Sequence, residues 1–282
     1  MSVRQQLATV SLAVLLGLST TTAAHATTMV RLSLEQLSQA SSSIVRGRVL
    51  DQESGWNAAH TQIVTLTTIA VDQVWKGHPP AQIMIEQLGG KAGHIREYVA
   101  GSVHFLPQAS YVLFLEPATT DSTRYLVVGM TQGAYRIYQD ATTHEERVIQ
   151  PLGGVFYGSR SGLAPAAGDA PLTQFRQQLS AALEAPIVIP KGTSLSVRIE
   201  TTESPVAGRI SVLGRTAFDA YPSRTVVVPA GSEVDGTAER VAGRWQIHWT
   251  GISIRDTRVP IAATSQEPAE QLGGRVIVIR VR

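Results

Sequence analysis

The chain contains no cysteine among its 282 residues. That removes disulfides, thiolate nucleophiles and every cysteine-based metal site, so the fold must hold itself together by core burial. Nor is there an excess of either charge, with 24 Lys and Arg against 22 Asp and Glu. A nearly neutral surface argues against nucleic acid as the main partner, because phosphate binding needs a concentrated basic face. Arg275, Arg280 and Arg282 are locally basic, but three charges on one strand read as a solvated edge. Long apolar runs are missing too: after the first two dozen residues no segment is apolar enough to span a bilayer.

What is present begins with an export signal. Met1 to Gln6 carry a single charge, Arg4, and an apolar run from Leu7 to Leu18 leads to Ala24-His25-Ala26. A basic start, a short apolar stretch and an A-x-A site describe a secretory leader cleaved after Ala26. The run is cut short by Ser19-Thr20-Thr21-Thr22, below the roughly 20 apolar residues of a spanning helix. The expected location is therefore periplasmic or secreted.

Beyond the leader the patterning is almost wholly β. Ser33 to Ala40 has the leucine spacing of a short helix. Strand-like runs follow at Ile44–Leu50, Thr61–Val74, Gln82–Glu86, Tyr111–Leu115, Tyr125–Val128, Ala134–Tyr138 and Arg147–Ile149. Residues 153–171 loosen into Gly, Ser, Ala and Pro, the composition of a flexible linker. Phe175, Leu179 and Leu183 then mark an amphipathic helix over 172–185, ended by Pro186. Further strands are expected at Thr193–Thr201, Thr225–Val228, Trp245–Trp249, Val259–Ala262 and Arg275–Val281. The expected fold is mostly β: two barrel- or sandwich-like domains, 27–152 and 186–282, joined by a linker and one amphipathic helix over 153–185.

Two resemblances bear on this organisation. Ile189-Pro190-Lys191-Gly192-Thr193, then Thr225-Val226-Val227-Val228-Pro229-Ala230-Gly231-Ser232, Gly236, Trp249-Thr250 and Asp256 before Val259-Pro260-Ile261 carry the first. Over residues 186–264 the chain resembles the outer-membrane barrel domain of TrbI-type scaffold proteins of type IV secretion and conjugation. The resemblance implies a ring-forming or docking β domain. It does not imply the family's pore, because Ser265 to Gly274 is too short for a hairpin of spanning helices. The second rests on Ile44-Val45-Arg46-Gly47-Arg48-Val49, Val71-Asp72-Gln73-Val74-Trp75-Lys76-Gly77 and the stretch Gly101 to Leu115. It is similar to the netrin-type, OB-fold-like module shared by metalloproteinase inhibitors, which implies a five-stranded barrel. The inhibitors' N-terminal metal-chelating Cys is absent, so their mechanism does not carry over.

Read as chemistry, the repeated turn residues shape the backbone. Pro190 and Pro229 fix φ, Gly192 and Gly231 supply positive φ, and Thr193 and Ser232 satisfy turn groups. His144-Glu145-Glu146-Arg147 lacks the second histidine of a zinc-protease helix. Gly158-Ser159-Arg160-Ser161-Gly162 has Arg where a nucleophile elbow needs Ser. Gly89 to Gly93 lacks the context of a phosphate loop and reads as a turn. His94 and His104, with Glu97, are the one candidate surface metal site. Trp245 and Trp249 share a strand face; that stripe reads as core, with an exposed platform for a sugar ring or partner strand as the functional alternative. No catalytic residue, cofactor or metal is expected. The expectation is a non-catalytic envelope scaffold or docking component, held by a protein partner or by self-association. Outer-membrane association belongs to that reading, and a stand-alone module for a glycan or peptide is its alternative.

Overall fold

The structure is a computed structural model that describes residues 28–29, 31–118, 121, 123–151, 156–157, 169–202, 209–223, 225–254, 257–268 and 274–282. The leader, most of the 153–171 linker, the Gly158–Gly162 stretch and Asp256 lie outside the described residues. The N-terminal unit runs in the order β1 (Thr28–Met29), α1 (Leu34–Ala40), β2 (Ser43–Trp56), β3 (Ile63–Lys76), β4 (Gln82–Leu88), β5 (Gly90–Ala92), β6 (Ile95–Glu97), β7 (Ser110–Pro117) and β8 (Arg124–Val127). It continues with β9 (Ala134–Gln139), β10 (Glu146–Ile149), β11 (Phe156–Tyr157), β12 (Ala170–Pro171) and α2 (Leu172–Glu184). β1 and β11 form a short parallel pair.

Helix α1 starts with a capping box. Gln36 N–H donates to Ser33 Oγ at 3.2 Å and Ser33 N–H donates to Gln36 Oε1 at 2.9 Å, so two otherwise orphaned donors are satisfied. The chain then enters β2, which pairs with both β3 and β7. β3 pairs with β4, β4 with β8 in parallel, and β8 with β7, so five strands close a ring. Closure needs strong local twist, and β2 supplies it through three register shifts against β3. Gly47 sits at one of them: a Cβ there would stand 2.5 Å from Ile69 Cγ2 and 2.7 Å from Ala70 O. Only glycine permits that approach.

The run Tyr111–Leu115 explains how this barrel is buried. Tyr111, Leu113 and Leu115 point into the barrel with Val45, Ile69 and Ile85. Val112 and Phe114 point outward, beneath Leu37 of α1 and Phe175 and Leu179 of α2. A strand covered on both faces reads as a continuous apolar run, not an alternating one. The amphipathic helix therefore belongs to the N-terminal unit, with β12 adding to the sheet edge through β10.

The C-terminal unit holds β13 (Ser194–Thr202), β14 (Arg209–Thr216), β15 (Glu233–Val241), β16 (Arg244–Ile254), β17 (Thr257–Pro268) and β18 (Val276–Arg280). They form one antiparallel sheet in the order β17-β16-β15-β14-β13-β18. The sheet curls until its ends approach, and Arg282 N–H donates to Ala262 O at 2.8 Å across the gap. Inward side chains from all six strands make a single core. The fold is thus mostly β, with two β domains.

The structure departs from the sequence expectation at Thr225–Val228 and adds the strands β14 and β15. Thr225–Val228 forms no strand; it is a loop pinned by one bridge, Ala220 to Val228. Its three valines are buried, which accounts for the strand-like composition. Strands β14 and β15 escaped notice because Gly214, Asp235, Gly236 and Glu239 depress β propensity. The two units meet through α1: Gln36 Nε2 donates to Ser223 O at 2.9 Å and to Val226 O at 3.3 Å, and Val227 N–H donates to Gln39 Oε1 at 3.4 Å.

Candidate functional site

The two Pro-x-Gly turns have one geometry. Thr193 Oγ1 donates to Pro190 O at 2.6 Å, and Ser232 Oγ donates to Pro229 O at 2.7 Å. Gly192 and Gly231 adopt φ of +86° and +79°. Gly192 N–H then donates to Val281 O and Gly231 N–H to Thr216 O, each at 2.7 Å, tying both turns to neighbouring strands. These six residues fasten the barrel.

The tryptophan platform does not form. Trp249 is 1 % exposed, with its indole between Gly214 and Gly236. A Cβ at Gly236 would lie 3.1 Å from Trp249 Cε3, and one at Gly214 3.4 Å from its Cη2. Indole Nε1 donates to Ser265 Oγ at 3.1 Å. The ring fills the barrel interior, and two strands give up side chains to admit it. Trp245 is half-buried against the same core, with the Arg240 guanidinium 5.4 Å above its ring.

The histidine candidate also dissolves. His94, His104 and Glu97 make no metal-holding group, and no cluster of three such ligands occurs among the described residues. His144 lies in a hairpin turn with φ of +58°, not on a helix. Asp140 caps that turn, accepting from Thr142 and Thr143 N–H at 2.8 Å each, and those bonds hold its carboxyl below the ordinary range. Displaced titrations elsewhere have similar structural causes. Glu146 is lowered chiefly by its bidentate bond to Arg46, and Asp235 by Arg258. The Tyr111 hydroxyl, pushed up by burial, accepts Leu106 N–H at 2.9 Å.

The surface feature that sequence reasoning missed lies at one end of the N-terminal barrel. From Leu50 onward β2 loses its buried side chains while Ile63 and Val64 of β3 keep theirs, so the hairpin overhangs the barrel on its β2 side. The β5–β6 ribbon folds back on the overhang. Gly90 makes this contact, since a Cβ there would stand 2.3 Å from Thr65 Oγ1 and 2.6 Å from Ser54 Oγ. Thr65 Oγ1 donates to Gly89 O and Gly89 N–H to Ile63 O, fixing the ribbon's root. Between ribbon, overhang and the 98–105 segment lies a groove of about 660 Å³. Val103 and Phe105 form its floor, Phe105 packing edge-on against Tyr111 at 5.1 Å. Leu88 and Tyr98 line it while remaining largely exposed, Tyr98 at 77 %. Ile95 and Trp56 are exposed apolar residues on the same two hairpins.

This arrangement suits binding more than bond chemistry. Its polar lining consists of Gln, Ser and Thr groups, several already paired, with Lys91, Arg96, Glu97 and His104 at the rim. The sequence signal that marks the groove is the Gly89-Gly90 pair ahead of Tyr98; it reads as a turn until the ribbon's contact with β2 is seen. No family model matches the chain, and no curated protein does. No helix among the described residues is long and apolar enough to cross a membrane.

Proposed function

We propose that this chain is an exported, non-catalytic docking protein of the bacterial envelope, and that it holds a polypeptide partner in the groove between the β2–β3 overhang and the β5–β6 ribbon. The carrying observation is the exposure of Tyr98 and Leu88 over a floor of buried Val103 and Phe105. Large apolar side chains left outside water's preference, beside a preformed concave surface, mark interaction sites. An extended segment suits the groove best. β6 pairs only with β5, so its other edge carries no strand partner among the described residues and offers main-chain bonds to an added strand.

Export rests on the leader pattern at Met1 to Ala26. The five-strand ring supports the resemblance to the netrin-type module as far as its barrel. Membership of a secretion-type assembly rests on the resemblance over 186–264. Strand-edge pairing there is restricted, because β17 and β18, the two edges, approach each other. Docking is therefore assigned to the N-terminal groove. The glycan or peptide alternative also loses its proposed surface, since Trp249 is core.

A photo-cross-linking residue at position 98 tests the reading in intact envelopes. The expected result is a discrete protein adduct at position 98 and none at position 241, an exposed site on the β15–β16 hairpin. Equal labelling at both sites, or none at 98, overturns it.

A further inference from the structure

A second concave surface, at the end of the C-terminal barrel, has a different chemistry. The Pro190–Ser194 turn, Ala220–Pro222 and Arg280 enclose about 480 Å³. The charged residues of its lining, Lys191 and Arg280, are both cations. Lys191 stands on the turn, and the Arg280 guanidinium reaches across it, its Nη2 3.8 Å from where a Gly192 Cβ would stand. Neither cation has an ion pair or hydrogen bond among the described residues. Two acids approach the neighbouring Tyr221, Asp219 and Glu116. Asp219 is committed, accepting Ala230 N–H at 2.7 Å on one oxygen and lying 3.5 Å from the Tyr221 hydroxyl on the other. Glu116 is engaged by another contact as well.

The backbone sets this geometry. Gly192 at φ +86° turns its N–H to Val281 O, and Val281 N–H returns to Thr193 O at 2.9 Å. The turn is thereby locked against β18. Register places Arg280 opposite Ser194 and Val278 opposite Ser196. Both cations are thus held on a rigid frame while their heads stay in water. Val188, Phe218 and Val278, each two positions along the chain from a lining residue, are exposed apolar side chains, Val278 at 67 %. Two cations thus line one pocket whose lining includes no carboxylate, with Asp219 behind Tyr221.

We infer that this pocket is an anion site, taking a phosphate-type oxyanion between Lys191 and Arg280 with the Tyr221 hydroxyl beside it. Arg supplies a planar fork for two oxygens and Lys a mobile point charge, the pairing suited to tetrahedral oxyanions. The phosphate arrives free or on a lipid headgroup, and exposed Val188, Phe218 and Val278 suit the second source. The inference does not depend on the groove reading.

The test uses the full chain and two probes, inorganic phosphate followed by heteronuclear NMR and vesicles of phosphatidylglycerol against phosphatidylcholine followed by sedimentation. Phosphate-dependent shifts at Gly192 and Arg280, or sedimentation with the anionic vesicles only, support the site; the first alone points to a soluble ligand and the second to a headgroup. In either case K191Q with R280Q should weaken binding roughly tenfold or more, as loss of charge-assisted bonds does. R280K should retain most of it, and R209Q, which removes the same charge beside Glu239, should change little. Added salt should weaken binding, since both cations are exposed. Binding of neither probe, or binding that R209Q lowers as much as R280Q, overturns the inference.

Discussion

The two barrels of this molecule close in different ways, and the difference separates structure from function. The N-terminal barrel is sealed by five paired strands and buried again from outside by two helices. Past that core the side chains of β2 lose their burial, while β3 beside it keeps Ile63 and Val64 buried. The overhang is where the groove forms. The C-terminal barrel has one buried face and fills its interior with Trp249, admitted by Gly214 and Gly236. Its outer face alternates with polar side chains. Surplus strand length creates a docking surface in one unit, whereas in the other the conspicuous aromatic is consumed by closure.

Breaking the C-terminal barrel should give the largest effect. Trp249→Ala is expected to cost about 3–5 kcal/mol, as deletion of a buried large aromatic does. Chemical denaturation followed by intrinsic fluorescence checks this. Next comes G236A, which forces a Cβ to within 2.6 Å of His248 O and 3.1 Å of the indole. Overpacking of this kind costs about 1–3 kcal/mol. If the glycine merely relaxed a strand, the same substitution would stabilise the protein.

A smaller effect is expected from acid. Glu146 and Asp235 have folded pKa values below their ordinary 4.5 and 3.8, each chiefly through an arginine bond. Their contribution is fully present above those ordinary values and is lost as pH falls through the lower folded ones. Both carboxylates are about a third exposed or more, so each is worth about 0–1 kcal/mol. D235N should therefore lower stability by about 0–1 kcal/mol near neutrality, where the pair is intact, and flatten the acid limb of the stability–pH curve below about pH 4, where the two proteins converge. Smallest of all is the stability effect of Y98S, within about 0.5 kcal/mol because the ring is in solvent. That variant should nonetheless abolish partner retention, which separates docking from folding.

Periodicity made the strands with clean alternation or dense valine legible, β3, β7 and β13 among them, along with both helices. The turn residues were legible for a physical reason: Pro, Gly and a hydroxyl residue at fixed spacing fit few backbone shapes. What stayed hidden depended on partners distant in sequence. β15 exchanges β-forming residues for Gly236 because an indole thirteen positions later needs the space. The groove depends on Gly90 meeting Ser54 and Thr65, a contact no linear pattern announces. Thr225–Val228 misled in the opposite direction, since burial selects valine in a loop as readily as in a strand.

The most direct test of the docking account is the native mass of the protein gently extracted from the envelope, read by light scattering for the natural chain and for Y98D. Docking through Tyr98 should give a discrete complex heavier than the single chain, and a monomer once Tyr98 carries a charge. A complex that survives Y98D intact, or a natural chain that is monomeric throughout, would contradict it.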